Sequence, residues 1–189
     1  MKEIIMDETF KGKDFTTQSL KATEYDNCSF ADCDFSGVHL SNLVFMECVF
    51  DHCNFTNAKF GGTTLNDVSF KTCKLLGADF SVLNDFLLTL SFKDCILDLA
   101  NFAGLKCPNT IFLNCSLKEA DFTEAHLSGG NFNESNLKHA IFSNSNLEKV
   151  DFRNAVHYTI DPTRNKMKNT RFSRDEVHGL LGAFGVKLD

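Results

Sequence analysis

Every fifth residue of this 189-residue chain is apolar over most of its length. The series starts at Phe10, Phe15, Leu20, Tyr25 and Phe30 and runs to Phe80, and a second run leads from Leu87 through Phe92, Leu97 and Phe102 to Phe152. Its 29 positions hold 17 Phe, 10 Leu, Tyr25 and Cys107. A helix repeats every ~3.6 residues and a flat strand every ~2, so neither produces this spacing. A chain that turns one large apolar side chain inward per five residues must round a corner once per unit, and units that cannot bury their apolar face alone stack into a solenoid.

A second inward position stands two residues before each of these centres. Cys28, Cys33, Cys48, Cys53, Ala58, Cys73 and Ala78 occupy it in the first run, and Cys95, Ala100, Cys115, Ala120, Ala125 and Ala140 in the second. These side chains are small, which suits a place with little room. The three remaining positions are mostly Asp, Asn, Ser, Thr, Lys and Gly, and face water. Cys33, Cys53 and Cys73 are 20 residues apart, and beyond Phe80 the centres alternate Phe and Leu. Four units per turn then place Phe on two opposite sides of a square and Leu on the other two, which fills a narrow core with facing rings.

Units such as Gly77-Ala78-Asp79-Phe80, Glu119-Ala120-Asp121-Phe122 and Ser145-Asn146-Leu147 follow a small–Asp/Asn–Leu/Phe signature. In these the chain resembles the pentapeptide repeat proteins over roughly residues 8–160. The resemblance implies an all-β solenoid, a right-handed quadrilateral β-helix of about seven to eight coils, followed by a short C-terminal α-helix. It divides the chain into a repeat region, 1–160, and a C-terminal capping or dimerisation segment, 161–189. The repeat region consists of sub-segments 8–80 and 87–160 joined by a bulge at 81–86, where seven residues separate two centres instead of five. Carrying the phase through the bulge aligns Cys33, Cys53, Cys73, Cys95 and Cys115 as a ladder inside the rod.

Composition narrows the function. The formal net charge is −6, which disfavours casual nucleic-acid binding and suits a basic partner. No stretch reads as a signal peptide or a membrane span, and eight cysteines in such a chain point to a reducing, cytoplasmic setting rather than a disulfide scaffold. Zinc-type cysteine pairs are absent, the six histidines do not cluster, and no phosphate loop or triad is legible. The reading is therefore a non-enzymatic chain with no catalytic residues, cofactor, metal or small-molecule substrate.

Function must then lie in the outward positions. Glu24, Asp26, Glu47 and Asp67 fall on one side of the N-terminal coils, with Asp32 and Asp51 on the adjacent side. These form a candidate acidic partner-binding surface, read either as plain solubility or as carboxylates imitating DNA phosphates. Leu83, Phe86 and Leu88 form a candidate apolar patch at the bulge. Toward the C-terminus Ser173-Arg174-Asp175-Glu176 reads as a capping box for a helix near 174–182. Its apolar face, Val177, Leu180, Leu181 and Phe184, is the candidate cap or dimer contact. The chain is similar to the quinolone-resistance members of the family, though without their two larger loops. That similarity implies a homodimer through the C-terminus and binding to DNA gyrase or topoisomerase IV; the alternative is a scaffold rod with an unrelated protein partner.

Overall fold

A computed structural model describes residues 3–186. The first eight strands come in pairs: β1 (Ile4–Met6) with β2 (Thr9–Lys11), β3 (Glu24–Asp26) with β4 (Ser29–Ala31), β5 (Val44–Met46) with β6 (Val49–Asp51), and β7 (Thr64–Asn66) with β8 (Val68–Lys71). β9 (Leu90–Lys93), β10 (Ile111–Leu113), β11 (Asp151–Phe152) and β12 (Arg171–Phe172) follow. All pairing is parallel and climbs one coil at a time. β1-β3-β5-β7 form one sheet and β2-β4-β6-β8-β9-β10 a second, with Phe10 beside Phe30, Phe30 beside Phe50, Phe50 beside Phe70 and Phe70 beside Phe92. Elsewhere the coils are joined by single bridges such as Asp34 to Asn54, Asn101 to Asp121 and His126 to Asn146. The offset of 20 residues makes four five-residue units one coil.

The core is a set of stacked side chains. Nine Phe rings, from Phe10 to Phe172, run up one side with centroids 4.7 to 5.3 Å apart. A second stack runs through Phe60, Phe80, Phe102, Phe122 and Phe142. The two stacks face each other across the square and meet edge to face, Phe102 against Phe112 at 5.4 Å and 88°. This is the arrangement the Phe/Leu alternation predicts, and it places each ring edge against a neighbour's electron-rich face.

Corners are held by local chemistry. The residue two after a centre takes φ near +50 to +70° at corner after corner, as in Gly37, Asn57, Glu119 and Lys149. At many corners the following amide donates back to the centre's carbonyl, as Val38 to Phe35 and Ala100 to Leu97, which with that φ is a type II turn. The Asp or Asn before the centre accepts from the amide two residues on: Ser36 N–H to Asp34 Oδ1 at 2.8 Å, and Thr123 N–H to Asp121 Oδ1 at 2.8 Å. Where Asp or Asn precedes the centre, the signature residue thus often closes an Asx turn.

All eight cysteines are buried. Cys33, Cys53 and Cys73 donate to the carbonyls of Phe10, Phe30 and Phe50 one coil away, and Cys95 and Cys115 to Phe70 and Phe92. The ladder crosses the slip and continues at Ser135, whose Oγ donates to Phe112 O at 2.9 Å. Burial pushes the Cys33 thiol up, and those of Cys48 and Cys107 up to about 12.

Two features differ from the sequence expectation. Asn84 still bridges Thr64 at the ordinary offset of 20, whereas Leu90 pairs with Val68 at 22, so the two extra residues enter between Asn84 and Leu90, a span that overlaps the expected 81–86 only at its end. Leu88 turns inward there, and Leu87, the centre expected from counting, is 63% exposed with φ +55°. At the C-terminus the expected α-helix is realised as two 3₁₀ turns, Val177–Leu180 and Gly182–Phe184. The capping box does not form: Glu176 takes the N-cap position without a side-chain bond, and the buried Ser173 Oγ has no partner.

Candidate interaction surface

The side of the rod that carries β1, β3, β5 and β7 brings four of the six singled-out acids together. Glu24 and Asp26 flank the buried Tyr25 on β3. Glu47 and Asp67 occupy the edge beside this side, both at φ +52°, in a column with Asp7 and Asn27. Asp32 lies at the next edge (φ +55°), and Asp51 ends β6 with its carboxylate 2.9 Å from His52 Nδ1, so these two face another direction.

On the strands themselves the acids do not run in rows. Pairing places Val44 and Thr64 in register with Glu24, and Met46 and Asn66 in register with Asp26. The surface alternates carboxylates with half-buried apolar and neutral side chains. On this side and its edge, from Ile4 to Asp67, no Lys or Arg is present among the described residues.

The bulge patch is smaller than the sequence reading. Leu83 and Leu88 are buried, 8% and 7% exposed: Leu83 takes the ordinary second inward position, 20 residues after Thr63, and Leu88 turns inward within the slip. Phe86, 70% exposed, stays outside, as do its chain neighbour Leu87 and, earlier in the same segment, Val82. Counting could not decide which of two adjacent leucines turns inward. The pair Asp85–Lys106, with Oδ2 and Nζ 3.3 Å apart, ties this level to the next coil.

At the C-terminal end Leu180 packs partly on the core, while Val177, Leu181 and Phe184 remain exposed. Gly179 is the buried residue of the first 3₁₀ turn. The face expected to be covered therefore meets the rod through a backbone position and one leucine.

An open groove of about 740 Å³ is lined by Gly129, Gly130, Asn131, Lys149, Asp151, Asn169 and Arg171. The Arg153 guanidinium, 2.7 Å from Asp151 Oδ2, holds the Asp151 carboxyl below the usual carboxylate range. Sequence reasoning passed over Lys149 and Arg171. Only the 20-residue offset, read with attention to sides rather than centres, places them together. Among the described residues no group of His, Cys, Asp and Glu is arranged to hold a metal ion, and no helix is long and apolar enough to cross a membrane.

The model of the family described as "Pentapeptide repeat region" matches residues 18–102 and 63–142, together more than half of the chain. The chain belongs to the pentapeptide repeat family. Among solved structures, this pentapeptide repeat chain is similar to a trypsin-treated form of QnrB1, described as a plasmid-mediated fluoroquinolone resistance protein. The TM-score is 0.66 and the identity 17%, over 99% of this chain and 100% of that one. It is also similar to HetL, a pentapeptide repeat protein involved in heterocyst differentiation regulation from the cyanobacterium Nostoc sp. strain PCC 7120. There the TM-score is 0.50 and the identity 14%, over 88% of this chain and 84% of that one. No curated protein matches the sequence. The pentapeptide repeat fold, a right-handed quadrilateral β-helix of about eight turns, is the fold that the resemblance of the repeat units implied.

Proposed function

We propose that this pentapeptide repeat protein is a non-catalytic rod that binds a basic protein through the β1–β7 side. The observation that carries the reading is the lysine-free surface of Asp7, Glu24, Asp26, Glu47 and Asp67. A DNA-binding protein offers the complementary cationic groove, and the fold shared with a fluoroquinolone resistance protein supports a type II topoisomerase, DNA gyrase or topoisomerase IV, as that partner. The rod would then act as a DNA mimic that modulates supercoiling or quinolone sensitivity. The test is a gyrase supercoiling and cleavage assay with ciprofloxacin and titrated protein. Inhibition or protection that disappears in Glu47→Lys/Asp67→Lys supports the reading. Absence of both at about 10 µM protein overturns gyrase as the partner.

A second reading is a scaffold for an unrelated basic protein. It is favoured by the register itself, since Val44, Met46, Thr64 and Asn66 break the acids into an alternating surface rather than phosphate-like rows. A partner that needs apolar contacts between the charges fits such a surface better than a groove shaped for duplex DNA.

A further inference from the structure

The β1–β7 side has nine levels, centred on Ile5, Tyr25, Phe45, Leu65, Leu88, Cys107, Leu127, Leu147 and Met167. Its outward positions divide at the fifth. On the four levels before it, this side and its edge carry Asp7, Glu24, Asp26, Glu47 and Asp67, with no cation among the described residues. On the four levels after it, the same positions carry Lys106, Lys149, Lys166 and Lys168 against the single acid Glu148, and Lys106 is paired with Asp85. Lys149, Lys166 and Lys168 have no carboxylate within 4.0 Å among the described residues. The level in between, at the slip, exposes Phe86 and Leu87.

We propose that this side is self-complementary and that a second copy of the chain occupies it, antiparallel, about a two-fold axis at the slip. A two-fold axis lying in the contact plane and perpendicular to the rods reverses rod direction while keeping like edges together. The acidic half of each copy then faces the basic half of the other, and level five meets level five. Asp26 comes opposite Glu148, so the lysines reach the acids from neighbouring columns and levels, Lys149 to Asp26 and Glu47, Lys168 to Asp7 and Asp26. Phe86 and Leu87 of the two copies meet at the axis, an apolar centre within a charged surround, as isologous contacts are built. The groove holding Lys149 and Arg171 spans the seventh to ninth levels, and so lies opposite the edge from Glu47 to Asp7. Gly129 makes that space, since a side chain there would collide with Asn109.

The contact has a bounded size. Nine levels at ~4.8 Å and a width of about 15 Å give roughly 600 Å² per copy, at the low end of stable interfaces. The dimer is therefore reversible and salt-sensitive. It does not depend on which partner the rod serves, and a basic partner would compete with the second copy for the same acids.

Two variants test it. One carries Asp26→Lys, Glu47→Lys and Asp67→Lys, and the other Lys149→Glu, Lys166→Glu and Lys168→Glu; all six positions are at least partly exposed. In sedimentation velocity at about 50 mM salt the native chain is expected to dimerise, at least tenfold more weakly at about 500 mM. Each variant alone is expected to dissociate at least tenfold more readily, because each carries a large excess of one sign of charge on both halves of the side. Mixing the two is expected to restore association, since each supplies the half the other lost. Unchanged far-UV circular dichroism shows that the variants fold. Leu87→Cys, an exposed thiol beside eight buried ones, is expected to cross-link to its own counterpart, and Ser91→Cys on another side is not. A monomer at about 200 µM and low salt overturns the proposal. So does a dimer that survives both charge reversals and is lost on Phe184→Ser, which would place the contact at the C-terminal end instead.

Discussion

Gly179 lies so close to Tyr158 that a methyl group on its Cα would sit 2.6 Å from Tyr158 Cδ2 and closer still to the Tyr158 carbonyl oxygen. The Gly179 carbonyl in turn accepts from the Ile160 amide at 3.1 Å. This single position docks the C-terminal turns on the last coil. Gly179→Val is expected to undock them, at about 1–3 kcal/mol from overpacking. A lower urea midpoint, with earlier proteolysis between residues 173 and 186, would register it; an unchanged midpoint would show that the turns contribute nothing to stability.

The Phe stack gives a position-dependent prediction. Phe112 is buried between Phe92 and Phe132, at 5.2 and 4.7 Å, and Phe112→Ala is expected to cost about 3–5 kcal/mol. Phe10, stacked on Phe30 alone and only partly buried, should cost distinctly less when changed to Ala. Equal losses at the two sites, from equilibrium unfolding, would contradict coil-by-coil stacking.

The cysteine ladder predicts which substitutions are tolerated. Ser135 already fills a ladder position, and its Oγ both donates to Phe112 O and accepts from the Cys115 amide at 2.9 Å. Cys73→Ser is therefore expected to be near neutral, within about 1 kcal/mol, whereas Cys73→Leu overpacks and costs about 1–3 kcal/mol. Native protein should show no rapid thiol modification, and prompt labelling of several cysteines would contradict the burial.

Stability should also fall in alkali. A buried thiol resists ionisation, so the folded pKa of Cys48 and Cys107, about 12, lies above an unfolded value of about 8.5. That contribution is whole below about pH 8.5 and is lost as pH rises toward 12, because the unfolded chain releases protons the folded one keeps. Urea midpoints at pH 7.5, 9 and 10.5 should decrease in that order. A flat series would mean that the thiols ionise equally in both states.

The Asx turns are expected to be additive and interchangeable. Asp34 Oδ1 accepts from the Ser36 amide and from Asn54 Nδ2. Asp34→Asn keeps the acceptor and should change little, while Asp34→Ala should cost about 1 kcal/mol. Equal effects of the two in thermal unfolding would assign the loss to charge rather than to the turn.

The core was legible in the sequence because every centre repeats one physical demand, an apolar side chain at each inward turn. Phe30, Phe50 and Phe70 needed no structure to be placed. Leu88 did, since Leu87 is equally apolar and fits the count; the path of the two extra residues turns Leu88 inward and leaves Leu87 exposed. The capping box failed for a similar reason. Ser173 and Glu176 have the right spacing, but docking through Gly179 tightens the segment into 3₁₀ turns that offer the serine no free amide. The surface was half legible: Glu24 and Asp26 lie on one strand with Glu47 and Asp67 at its edge, and the lysines continuing that side stayed hidden among residues distant in sequence.

The two-residue slip has a consequence for how the chain finds its own alignment. Successive coils are close copies, so a chain that paired β4 with β8 and skipped β6 would still stack Phe on Phe and seat a cysteine beneath it. Nothing in a perfect repeat penalises such a shift by a whole coil. The extra residues before Leu90 occur once, between Thr64–Asn84 and Val68–Leu90, and a strand laid one coil out of place would carry them to a level with no room for them. The irregularity thus serves as an index mark on an otherwise uniform scale, giving each coil an address.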